Sequence, residues 1–113
     1  MTIQDHVLQT FPFLFEQCGF AFLGAAAGDS EMVVIAQSGF MRLRFIQDRA
    51  DFFLDVAVSK TPENWLGLYD VLDEMKRKGL ITEGYKYANK AGALSSILKK
   101  TFPALQKYLL STN

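Results

Sequence analysis

The sequence has few of the residues that build covalent or metal chemistry. It holds one cysteine (Cys18), one histidine (His6) and one tryptophan (Trp65) in 113 residues. A lone cysteine closes no internal disulfide and suits a reducing compartment. Zinc needs several Cys or His ligands at helical or CxxC spacing, and no such set exists, so no metal is expected. His6 stands twelve residues from Cys18, three turns away along one expected helix, which argues against a Cys–His nucleophile pair. Cys18 reads as a small buried core residue. Gly19, Gly24 and Gly28 are not followed by a phosphate-loop helix, and no cofactor is expected. The first Lys or Arg is Arg42, so a positive leader region is missing, and the most apolar run, residues 20–27, is far short of the ~20 residues of a membrane helix. The expected setting is cytoplasmic, away from membranes.

What is present is an ordinary globular composition, 50% hydrophobic and 21% charged. One domain over residues 1–113 is expected, burying roughly two-thirds of its extended surface. The net charge is zero, yet it is unevenly spread. Residues 1–75 hold Arg42, Arg44, Arg49 and Lys60 against eleven acidic side chains, a sum of −7. Residues 76–113 hold eight basic side chains against Glu83 alone, a sum of +7. The favoured reading is a solvated helix face, with Lys76, Arg77 and Lys78 at a helix C-terminus where cations are stabilised.

Periodicity predicts a first helix over residues 3–18. Thr2 and Asp5 form a capping-box start and Gly19 a natural stop, with Pro12 imposing a kink or break near residues 8–11. Ile3, Val7, Phe11, Leu14 and Cys18 define its apolar face, flanked by Leu8 and Phe15. Four strand-like runs follow, at 20–27, 32–38, 40–47 and 52–59, separated by short turn-forming stretches at 28–30, 38–39 and 48–51. Connections this short exclude parallel crossovers, so an antiparallel meander is expected.

Register follows from the turns. Closing the third hairpin at 48–51 sets Arg44 opposite Asp55, Phe45 opposite Leu54, Leu43 opposite Val56 and Met41 opposite Val58. Closing the second at Ser38-Gly39 sets Ala36, Val34 and Met32 beside Met41, Leu43 and Phe45. Both hairpins agree on one core face, whereas the alanines of the first strand leave its register open.

A second helix is predicted from a Thr61 cap and Pro62 at its first position to a stop at Gly79, with Trp65, Leu68, Tyr69, Leu72 and Met75 as its buried stripe. Asp73–Arg77 and Glu74–Lys78 are favourable pairs on its wet side. Residues 80–89 read as either a loop or a short fifth strand. A last helix over 91–110 carries Leu94, Leu98, Phe102, Leu105 and Leu109 in phase, interrupted by Pro103. The fold class is thus α+β: an N-terminal helix, a four-stranded antiparallel meander, then two or three C-terminal helices packed on one sheet face.

Three places carry candidate function. Asp48, Asp51 and Asp55 gather near one hairpin beside Arg44 and Arg49, which reads as turn and cross-strand pairing rather than a catalytic acid pair. No catalytic residue is assigned, and no enzymatic activity is expected. The Tyr85, Lys86, Tyr87 and Lys90 stretch, extended by Lys99 and Lys100, interleaves aromatics and lysines as single-strand binding platforms do. Neutral net charge and the lack of an arginine-rich helix argue against nucleic acid as partner. The third place is the second face of the sheet, where Arg42, Arg44, Ile46, Phe53 and Asp55 mix apolar and charged groups as protein interfaces do. That face is the candidate protein-binding site.

The layout resembles small bacterial α+β proteins of the immunity type, encoded beside polymorphic or contact-delivered toxins. The residues that carry the resemblance are the helix end Phe15-Glu16-Gln17-Cys18-Gly19-Phe20, the hairpin Gln47-Asp48-Arg49-Ala50-Asp51, the helix with Trp65 and Leu68, and Phe102-Pro103-Ala104-Leu105. The resemblance implies a non-enzymatic protein that binds and neutralises a toxin or effector, without cofactor. Neutral charge departs from the many strongly acidic immunity proteins and argues against a basic nuclease as partner. A homodimer similar to bacterial secretion chaperones is the second version of the same reading. Nucleic-acid binding through the basic C-terminal segment is the alternative from another class.

Overall fold

Thr2 opens the chain with a reciprocal cap: its Oγ1 accepts from the Asp5 amide (3.1 Å) and the Asp5 carboxylate accepts from the Thr2 amide (3.3 Å). The computed structural model describes residues 2–27 and 31–111. Helix α1 runs Ile3–Thr10 and α2 runs Pro12–Glu16, so of the kink or break expected from Pro12 the structure shows a break, at Phe11. Phe11 joins them at φ −122°, ψ 50°, outside the helical basin. A proline ring disfavours the helical conformation in the residue before it, which is the reason for the break.

Pro103 acts differently. Helix α4 runs Ala91–Ser111 straight through it, without the expected interruption. Phe102, the residue before this proline, is held among the rings of Phe13 (6.2 Å) and Phe20 (6.0 Å). Lys99, whose carbonyl loses its helical donor, is an exposed residue. Phe102 thus stays helical before its proline, whereas Phe11 leaves the helical basin.

The strands are β1 (Ala21–Ala27), β2 (Glu31–Gln37), β3 (Met41–Asp48), β4 (Asp51–Val58) and β5 (Leu66–Gly67), paired antiparallel in the order 1-2-3-4-5. The sheet has five strands rather than four. The β3–β4 register is the expected one, with Arg44 opposite Asp55 and Leu43 opposite Val56. The β2–β3 pairing differs: Ala36 faces Leu43 and Val34 faces Phe45, because Ser38 itself pairs with Met41 through its amide (2.9 Å) and the turn tip moves to Gly39-Phe40. That slip is two residues, so every side chain keeps its face. β1 shifts register around Leu23, which is exposed. The stretch 28–30, expected as the first turn, lies outside the described residues.

The second helix is shorter than the sequence suggests. Helix α3 runs Leu68–Arg77. Thr61, Pro62, Glu63 and Asn64 form a turn instead of its cap, closed by the Asn64 amide on the Thr61 carbonyl (3.0 Å). Proline fits the second position of such a turn as well as the first position of a helix, and here the turn wins. Leu66-Gly67 then becomes β5 against Asp55 and Val56 of β4. Residues 80–89 form neither helix nor strand. Glu74 takes both nearby cations, Arg77 and Lys78, so the expected Asp73–Arg77 pair is absent.

All four helices cover one face of the sheet. Val34, Ala36, Met41, Leu43, Phe45, Phe52, Leu54 and Val56 point into a core completed by Ile3, Val7, Phe11 and Leu14, by Leu68, Val71, Leu72 and Met75, and by Leu94, Leu98 and Leu105. Phe11 sits at its centre, 5.1 Å edge-on to Phe45 and 6.0 Å from Phe52. Trp65 is not in the core, Leu8 and Met32 are exposed, and Cys18 is half-buried at the margin rather than enclosed. No described helix is long and apolar enough to cross a membrane.

Candidate protein-binding face

Strand alternation turns Val33, Ile35 and Gln37 of β2, Arg42, Arg44 and Ile46 of β3, and Phe53 and Asp55 of β4 away from the helices. No described helix covers them. They are half-buried all the same, since the arginine stems and the returning 59–66 segment lie across them.

Arg44 is the best-fixed group on this face. Its Nε and Nη2 donate to Asp55 Oδ2 at 3.0 and 2.6 Å, and its guanidinium lies 4.5 Å from the centre of the Trp65 ring. A guanidinium held by a carboxylate and an indole has few other rotamers left. Arg42 donates to Gln37 (2.6 Å) and has no ion pair among the described residues. Both arginines line an open groove of about 390 Å³ with Ile35, Pro62, Glu63 and Trp65. The groove therefore brings one neutralised guanidinium, one without an ion pair and the Glu63 carboxylate together with Ile35, Pro62 and Trp65.

Three of these groove residues, Pro62, Glu63 and Trp65, escaped sequence reasoning, which placed them on a helix. A signal was available: Gly67 is a favourable cap residue directly before α3, and Pro62 favours the second position of a turn. The expected site residues Arg42 and Arg44 share the groove, Asp55 joins through Arg44, and Ile46 and Phe53 face each other across β3 and β4.

The carboxylates of the β3–β4 hairpin serve separate partners. Asp55 holds Arg44 (2.6 Å) and Asp51 Oδ1 accepts from the Asn89 side-chain Nδ2 (2.7 Å). Arg49 takes the left-handed position of the turn, φ 59°.

The lysine–tyrosine stretch is divided between surroundings. Tyr85 is half-buried in a groove with Ile81, Glu83, Lys100 and Thr101, where burial and then Glu83 push its phenol up from the ordinary value. Tyr87 is exposed and packs on Tyr69, with centroids 5.3 Å apart. The Lys90 ammonium donates to the Ala50 carbonyl (3.2 Å), while Lys86, Lys99 and Lys100 are exposed. The two tyrosine rings face different neighbours, so the stretch does not present successive stacking faces. Desolvation pushes the Cys18 thiol up, and no cation among the described residues offsets it.

Comparison with known proteins returns no relative: no family model matches the chain, and no curated protein or solved structure matches it. The functional reading therefore stands on geometry.

Proposed function

We propose that this chain is a non-enzymatic, cytoplasmic protein-binding domain that works through the outer face of its sheet. The observation that carries the reading is the Arg44–Asp55–Trp65 cluster, a preorganised charged and aromatic anchor on a face that no described helix covers. Arg and Trp are the side chains that most often dominate binding energy at interfaces. Arg42, without an ion pair, selects a partner surface that presents a carboxylate beside apolar groups. In its more specific form the proposal is an immunity-type protein that occupies a toxin or effector. A homodimer built on the same face is the competing outcome.

The test uses Ile46→Asp and Arg42→Glu. Both positions are half-buried on the outer face, so melting temperatures should stay within a few degrees. Binding to the product of a neighbouring toxin or effector gene, measured by calorimetry, should fall at least about tenfold for each variant. If the wild type instead sediments as a dimer and the variants as monomers, the face joins two copies. Variants that bind and sediment as the wild type does would defeat the proposal.

A further inference from the structure

A second cavity, of about 190 Å³, opens between β4, the start of α3 and the 80–89 segment. Four aromatic residues, Phe52, Phe53, Tyr69 and Tyr87, line it together with two carboxylates, Asp55 and Asp70, and no cationic residue lines it. Tyr69 is locked in place. Its hydroxyl accepts from the Ala88 amide (2.9 Å) and reaches the Ala88 carbonyl (3.4 Å), while Tyr87 covers it from the solvent side at 65% exposure. Asp55 is turned toward Arg44, but Asp70 has neither ion pair nor hydrogen bond among the described residues.

Aromatic rings present negative faces to a cation, and a free carboxylate adds to that field. Asp70 is the one wall carboxylate without a partner among the described residues, so a primary ammonium would exchange its water shell for a single strong acceptor. A cation whose charge is spread over methyl groups avoids that penalty and fills an apolar wall. The volume lies below the ~300–1,000 Å³ of a drug-sized ligand site and suits a headgroup. We propose that the cavity binds an alkylated ammonium group, carried either by a choline-type small molecule or by a methylated lysine side chain. The cavity shares Phe53 and Asp55 with the outer sheet face, but the groups tested below, Tyr87 and Asp70, lie off that face.

The experiment is an NMR titration of the full chain with tetramethylammonium chloride, with neopentyl alcohol as the neutral counterpart of similar shape. The expected result is saturable movement of the Phe53, Tyr69 and Tyr87 amide signals, with the alcohol binding at least about tenfold more weakly. Tyr87→Ala removes an exposed wall and should weaken binding about tenfold; Asp70→Asn, which leaves the aromatic walls intact, should weaken it about threefold. Unsaturable shifts, equal response to the alcohol, or unchanged affinity in both variants would overturn the proposal. Choline and an acetylated trimethyllysine peptide then separate the sources, the tighter binder naming the one that the cavity serves.

Discussion

Trp65 sits beside Arg44 on the solvent side of the sheet, half-buried, with no cavity waiting for its removal. Its loss costs one cation–π contact and some covered stem, together on the order of 1 kcal/mol. Phe45 is fully buried among Phe11 and Phe52, and its truncation belongs to the ~3–5 kcal/mol class of core aromatics. Chemical denaturation of Trp65→Ala should therefore show a small shift beside a large one for Phe45→Ala. A Trp65→Ala shift as large as that of Phe45→Ala would place the indole in the core after all. Indole fluorescence should also change when Arg44 is replaced, because the guanidinium lies 4.5 Å from the ring centre.

The elements show where the sequence was legible and where physics left two answers open. The β3–β4 register could be read because Arg44 and Asp55 pair on one face while Phe45–Leu54 and Leu43–Val56 pair on the other, and a one-residue slip would undo both at once. The β2–β3 slip of two residues carries no such penalty, so the faces were legible and the partners were not. The start of α3 was misread because Thr61-Pro62 satisfies both a helix start and a turn. Its end was plain. Gly79 adopts φ +77°, with its amide on the Lys76 carbonyl (3.0 Å) and the Leu80 amide on the Met75 carbonyl (2.9 Å), the two bonds of a Schellman stop. A side chain at Gly79 would meet nothing within 4 Å, so Gly79→Ala should cost only the conformational term, about 1 kcal/mol, readable as a shift in denaturation midpoint. Gly79→Asn should cost less, since asparagine tolerates this backbone region better.

At the scale of the molecule, α4 closes the core that the rest of the chain leaves open. Leu94, Leu98, Phe102, Leu105 and Leu109 are buried from this one helix. Five such side chains at roughly 2 kcal/mol each amount to about 10 kcal/mol, as large as the ~5–15 kcal/mol net stability of a whole domain. A chain truncated before Ala91 should show no cooperative unfolding and should bind a hydrophobic dye; a cooperative transition in that fragment would mean that the sheet and α3 form a core of their own. The outer-face site was legible as a set of strand positions, because alternation alone assigns them. The groove on it was not, because it depends on where residues 59–66 return, and no local pattern encodes that path.

The two borders of the sheet are unequal. β4 is flanked by β5 and, further along, by the Phe52 amide on the Asn89 carbonyl (2.8 Å), whereas among the described residues β1 is paired only with β2. Backbone pairing between sheets needs a free border on each partner. β5 is also an edge strand, but its ladder is two residues long, against seven for β1. A strand from another chain therefore meets a longer backbone ladder at β1 than at β5.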